Sequence, residues 1–142
     1  MQESKQMARW TWLWPLLLLT ACQRAAPVPD LLVETVAGVW HRTALERPPV
    51  SDAPDPVPRS AVEQFQSATY EGPGKLDARV YGMSTPALAL DRAQRWQPTP
   101  DTIFFYADRF FVTVHWQSAD RTALQQFVAT LQKSFKPAPS RE

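Results

Sequence analysis

Two apolar runs near the end of the chain place the strongest constraint on its fold. Residues 103–106 and 110–114 are rich in aromatic and β-branched side chains, and the short segment 107–109 separates them. Such runs around a short polar link predict an antiparallel β-hairpin. With a two-residue turn, Phe105 would lie opposite Phe110, although the glycine typical of such turns is missing.

Side-chain alternation divides this hairpin into two faces. One face carries Ile103, Phe105, Phe110, Val112 and Val114, with Ile103 opposite Val112. The other carries Phe104, Tyr106, Phe111, Thr113 and His115, and Tyr81 of a neighbouring strand extends it. A sheet covered on one side should be polar on the other, and this second face is not. Either helices or the Pro-rich segment 46–59 cover it, or it is an open apolar binding surface.

Three segments carry helix signals. Ser60 and Glu63 form a capping box, which predicts a helix over residues 61–70. A hydroxyl cap followed by proline predicts a second helix from Ser84 to about Trp96. A third helix, capped by Ser118 or Asp120, carries the apolar stripe Leu124, Phe127, Val128, Leu131 and Phe135.

Strand signals lie between these helices. Residues 76–82 alternate between apolar and polar side chains, and a further strand is predicted around residues 39–44. The predicted fold is therefore α+β: an antiparallel sheet of about four strands, with two or three helices packed on one face, in the order β-α-β-α-β-β-α.

The beginning of the chain has the pattern of a secretory signal. Lys5 and Arg9 precede the apolar run 10–21, which is interrupted by Pro15. The alternative is a transmembrane helix. At about 1.5 Å per residue, a run of roughly 11 residues would cover only about 16 Å of a bilayer core of about 30 Å. The short run therefore favours a signal peptide.

The end of this run is more specific. Its last residues are Leu19, Thr20, Ala21 and Cys22. This sequence resembles the lipobox of bacterial lipoproteins. The resemblance implies that residues 1–21 are removed and that the Cys22 thiol receives a diacylglyceryl group, with fatty acids such as palmitate. Cys22 would then bind membrane lipid, and Gln23 in place of Asp favours the outer membrane, facing the periplasm, if the cell is Gram-negative.

These signals divide the chain into four parts. Residues 1–21 form a lipoprotein signal peptide, 22–30 the lipidated cysteine and a Pro-containing tether, 31–136 a single α+β domain, and 137–142 a tail. Without the signal peptide, 13 basic and 13 acidic residues remain. Nucleic acid is therefore not expected as a partner, because its binding needs a basic patch.

The mature domain is also similar to small uncharacterised bacterial domains. The matching segments are residues 70–74, 80–83, 94–96 and 119–121, and the resemblance covers about residues 38 to 135. It implies a domain boundary and no activity.

Residues for catalysis are few. His41 and His115 lie far apart in sequence, and no metal-ligand spacing or nucleophile motif is present. We expect no cofactor and no metal site. The sequence favours a non-catalytic binding or structural module of the cell envelope, with a protein partner or a second copy bound through Tyr81, Phe104, Tyr106, Phe111 and His115. Two alternatives stay open: a carrier of an apolar ligand, and an enzyme with a site near Arg79, Tyr81 and His115.

Overall fold

The computed structural model describes residues 28–54 and 59–136. Within these two stretches the strands are β1 (Thr35–Val36), β2 (Trp40–Glu46), β3 (Val62–Glu71), β4 (Gly74–Met83), β5 (Thr102–Ala107) and β6 (Phe110–Ala119). The helices are α1 (Pro86–Arg95) and α2 (Arg121–Ser134), and 3-10 turns lie at Val50–Asp52 and Arg59–Ala61. The strands form one antiparallel sheet in the order β1-β2-β3-β4-β6-β5, which curls into a half-barrel.

The α+β class and the antiparallel sheet are confirmed, and so are both C-terminal helices. The Thr85 hydroxyl accepts a hydrogen bond from the Leu88 amide at 3.3 Å and so begins α1. The Asp120 carboxylate accepts one from the Ala123 amide at 3.0 Å and begins α2. Both caps satisfy amides that the first helical turn leaves free.

The hairpin is confirmed, but its predicted register is wrong. Its turn has two residues, and Phe105 pairs with Val112 while Ile103 pairs with Val114. The pairing is shifted by two residues relative to the prediction, because β5 continues to Ala107. Since side chains alternate with a period of two, this shift leaves the two predicted faces unchanged.

The helix predicted over residues 61–70 is wrong, because this segment is strand β3. It pairs with β2 on one side and with β4 on the other, so its backbone groups are satisfied by two neighbours. Glu63, expected to cap a helix, instead binds Arg109 at 2.8 Å. The described residues therefore contain six strands and two α-helices, in the order β-β-β-β-α-β-β-α.

The helices do not share a face of the sheet, which corrects the predicted arrangement. We call the two sides the α2 face and the α1 face. The buried residues of the α2 face include Trp40, Tyr70, Leu76, Val80, Val112, Phe127 and Leu131. Those of the α1 face are Ala53, Val62, Phe65, Tyr81, Met83, Ala89 and Phe111. Each helix buries its own apolar stripe, so the sheet is the middle layer of three.

The start of the described chain completes the α2 face. Gln66 is buried, its side-chain oxygen accepts from the Leu31 amide at 2.9 Å, and its nitrogen donates to the Pro29 carbonyl at 2.9 Å. The Tyr70 hydroxyl donates to the Val33 carbonyl at 2.6 Å. Residues 29–33 are therefore fixed to the sheet beside α2.

Candidate functional site

The α1 face has a covered half and an open half. In the covered half, α1 and the 3-10 turn Val50–Asp52 lie over an aromatic cluster. Phe111 is fully buried there, and Tyr81 is 3% exposed. The Phe111 ring lies 5.5 Å from the Trp96 ring and 6.0 Å from the Tyr81 ring. This half is part of the hydrophobic core.

The open half is polar and contains a cleft of about 360 Å³. Its lining residues are Asp77, Arg79, Tyr81, Trp96, Thr99, Asp101, Thr102, Thr113 and His115. We call it the Arg79 cleft. Strands β4, β5 and β6 supply its floor, and the segment that joins α1 to β5 supplies its wall. Because the floor is a paired sheet, these side chains are held in a fixed arrangement.

Arg79 lies on β4, between the cleft residues Asp77 and Tyr81 of the same strand face. Its cross-strand neighbours are Ser67 on β3 and Thr113 on β6. The Arg79 side chain is exposed, and no carboxylate of the described residues lies within 4.0 Å of it. An arginine in this position presents donors in a planar fork that suits a carboxylate or phosphate.

The two acidic side chains of the cleft are bonded elsewhere. Asp77 accepts a hydrogen bond from the Thr69 hydroxyl at 2.8 Å. Asp101 lies beside His115, whose Nδ1 is 3.4 Å from the Asp101 carboxylate and 3.2 Å from its carbonyl oxygen. The acids therefore limit the net charge of the cleft without neutralising Arg79 directly.

Next to the wall of the cleft, a second arginine, Arg92 of α1, packs against aromatic rings. The Arg92 guanidinium lies 5.2 Å from the centre of the Trp96 ring. Burial raises the pKa of the Tyr81 phenol, and the charges of Arg79 and Arg92 oppose this shift. Burial lowers the pKa of Arg92, and Tyr81 opposes that shift in turn. The Tyr81 hydroxyl is thus a neutral hydrogen-bonding group at the boundary between the core and the cleft.

The structure separates the five residues predicted to form an open aromatic face. Tyr81 and Phe111 lie in the core, and Phe104 is half-buried against Trp96. Tyr106 is 43% exposed, and His115 lines the cleft. The expectation of an open aromatic surface is therefore corrected: α1 covers it, one of the alternatives that the sequence left open. Cys22 lies outside the described residues.

The residues predicted for an enzymatic site do come together, because Arg79, Tyr81 and His115 all line the cleft. Sequence reasoning missed Asp77, Trp96 and Asp101 as members of the same site. The alternation of β4 indicated that Asp77 shares a face with Arg79. No sequence signal indicated that the segment after α1 would bring Trp96 and Asp101 to that face.

No family model, curated protein or solved structure matches the chain. Among residues 28–54 and 59–136, no three His, Cys, Asp or Glu side chains are close enough together to hold a metal ion. In the same two stretches, no helix has the length and apolar character needed to span a bilayer.

Proposed function

We propose that this chain is a lipid-anchored, non-catalytic binding module of the cell envelope, and that the Arg79 cleft is its binding site. The observation that carries this proposal is the exposed Arg79 in the polar, open half of the α1 face, whose other half is covered. A cleft of about 360 Å³ is within the range of small-molecule sites. A protein partner through the aromatic cluster has less support, since Tyr81 and Phe111 are buried.

The anchor is supported by the lipobox sequence that ends at Cys22. The test is metabolic labelling of cells with a fatty-acid analogue, followed by fractionation of the membranes. The wild-type chain should carry the label and sediment with the outer membrane, whereas Cys22→Ala should be unlabelled. Unlabelled wild-type protein in the cytosol with residues 1–21 attached would contradict the proposal.

The cleft is tested with a screen of small fragments, charged and neutral, by NMR on the full chain carrying Cys22→Ala in detergent. Fragments that bind should shift the amides of β4 and β6 around Arg79. A second substitution, Thr102→Trp, fills the cleft from its rim and should abolish these shifts. Thr43→Trp, on the exposed side of β2, is the matched control and should keep them. Fragment shifts confined to other surfaces would exclude the cleft as the site.

An enzyme is the second candidate, because the cleft also joins His115 and Asp101. A carboxylate beside one imidazole nitrogen is an arrangement that can orient the ring for general base catalysis. Turnover of any substrate by the wild-type chain, lost in His115→Gln while folding is retained, would favour this candidate over the binding module. A carrier of an apolar ligand has less support, because Asp77, Arg79 and His115 are polar or charged.

A further inference from the structure

We infer that the ligand of the Arg79 cleft carries a single oxyanion, a carboxylate or a phosphate monoester, which binds to the Arg79 guanidinium. This inference rests on the proposed function, because it names the chemical class that the cleft would accept. It is argued from the charges in the cleft, from the hydroxyl groups around Arg79, and from the aromatic wall.

Arg79 has no ionic partner among the described residues. Four other arginines form ion pairs within the domain: Arg42 and Arg47 bind Asp30, Arg95 binds Asp91, and Arg109 binds Glu63. Arg79 lies on the sheet floor, with the Tyr81 hydroxyl as its near neighbour. A neutral phenol leaves most of the five guanidinium donors available for an oxyanion.

Two residues with hydroxyl groups flank Arg79 on the neighbouring strands. Ser67 and Thr113 occupy the cross-strand positions on either side of it. Their side chains lie on the same face as Arg79, because directly paired residues of an antiparallel sheet share a face. Of the two, Thr113 lines the cleft, and its hydroxyl can supply an additional hydrogen bond to an oxyanion oxygen beside the guanidinium.

The acidic side chains of the cleft limit the charge of the ligand. Asp77 and Asp101 line the same cleft, so a ligand with several negative groups would place one of them near a carboxylate. Like charges at such distances are unfavourable. The cleft therefore suits one anionic group and disfavours polyanions, including nucleic acid.

The remaining volume favours a small ligand with a flat apolar part. Trp96 and Tyr81 line the end of the cleft next to the covered half of the α1 face. Aromatic side chains at the edge of a polar cleft contact an apolar ring well. Benzoate and phenyl phosphate are therefore suitable probes, because they share one ring and differ in the oxyanion. Benzyl alcohol is the neutral probe of similar shape.

The experiment is calorimetric titration of the full chain carrying Cys22→Ala, in detergent, with each of the three probes. At least one anionic probe should bind at least tenfold more tightly than benzyl alcohol. Arg79→Gln should weaken this binding at least tenfold, and Arg79→Lys should restore part of it. Lys133→Gln, at an exposed position in the last turn of α2, removes the same charge outside the cleft; it is the control and should bind like the parent chain.

The comparison between the two anions identifies the group that the cleft prefers. The inference is overturned if neither anion binds more tightly than benzyl alcohol, or if Arg79→Gln binds both anions as well as the parent chain does. A different result would contradict the proposed function: no fragment, charged or neutral, would shift the amides of the cleft in the NMR screen. Neutral fragments that bind in the cleft as tightly as the anionic ones would overturn the oxyanion inference alone.

Discussion

The two faces of the sheet use the same strands in different ways. On the α2 face, helix α2 and residues 29–33 cover the apolar side chains, and the largest of these, Trp40, Tyr70 and Phe127, pack edge to face. On the α1 face, apolar packing ends part of the way along the strands, and a polar cleft takes its place. The difference suggests that one face is devoted to stability and that part of the other is available for binding.

Helix α1 is too short to cover the full length of the strands. At about 1.5 Å per residue, the 10 residues of α1 cover about 15 Å, whereas the 10 residues of β4 extend about 33 Å. The β4 side chains on the α1 face change from exposed to buried along the strand in agreement with this limit. Tyr81 lies in the covered half, while Asp77 and Arg79 lie where the helix does not reach.

The largest expected effect is at the centre of the α2 face. Phe127 is fully buried and lies 5.6 Å from the Trp40 ring and 5.0 Å from the Tyr70 ring. Phe127→Ala should lower the free energy of unfolding by about 4 kcal/mol, because it opens a cavity that the surrounding rings cannot fill. Phe104 is half-buried on the α1 face, so Phe104→Ala should lower the free energy of unfolding clearly less. Urea titrations of the two variants measure the difference. Equal costs would break the distinction between the faces.

Gln66→Leu should lower the free energy of unfolding by about 2 kcal/mol. This change leaves the Leu31 amide and the Pro29 carbonyl without their partner, and unmet buried polar groups are costly. Gln64→Leu, two residues earlier on the same strand, is the matched control and should change stability by less than about 0.5 kcal/mol. Hydrogen exchange at the Leu31 amide should accelerate only in Gln66→Leu, and unchanged exchange would show that residues 29–33 are held by other contacts.

The α2 face should also show a pH dependence that originates at Tyr70. Burial raises the pKa of Tyr70 to about 12, from its ordinary value of 10.0. The unfolded chain therefore loses this proton first, so the contribution is complete below pH 10 and is lost as the pH rises towards 12. By pH 11 the loss should be about 1.4 kcal/mol. Unfolding titrations between pH 9 and 11 should show a steeper decline in the wild-type chain than in Tyr70→Phe. Parallel curves would contradict this assignment.

The helix caps allow the two covering helices to be compared directly. Asp120→Ala should destabilise the domain by about 1 kcal/mol, because a charged cap at 3.0 Å from the Ala123 amide is lost. Thr85→Ala should cost less, since the bond to the Leu88 amide is longer, at 3.3 Å, and uncharged. Thermal unfolding of the two variants measures the difference, and a larger cost for Thr85→Ala would reverse the ranking.

The smallest effect is expected from Arg79→Gln. An exposed side chain without a described ionic partner contributes little to folding, so stability should change by less than about 0.5 kcal/mol. A loss above about 2 kcal/mol in chemical denaturation would make Arg79 a structural residue and remove the contrast between the faces.

The sequence predicted the parts of the fold that depend on local signals. The alternation through residues 103–114 gave the two faces of the hairpin, and the caps at Thr85 and Asp120 gave both helices. It failed at β3, where a capping pattern at Ser60 competed with sheet pairing on both sides, because pairing partners are not visible locally.

The candidate site was only partly predictable for the same reason. Arg79, Tyr81 and His115 lie on paired strands, and alternation indicated their shared face. Trp96 and Asp101 reach the cleft through the connection between α1 and β5, whose path depends on tertiary packing. The covering of Phe111 likewise depends on where α1 docks.

The bond between Gln66 and residues 29–31 also determines how the domain would face its surroundings. Gln66 pairs with Val80 and points to the α2 side, so the chain leaves the domain on the opposite side of the sheet from Arg79. With Cys22 in a bilayer as proposed, the seven residue steps from Cys22 to Pro29 span at most about 25 Å in total. The cleft and the attachment of this link then lie on opposite faces of the sheet, so a solute bound at Arg79 does not compete with the link for the same surface.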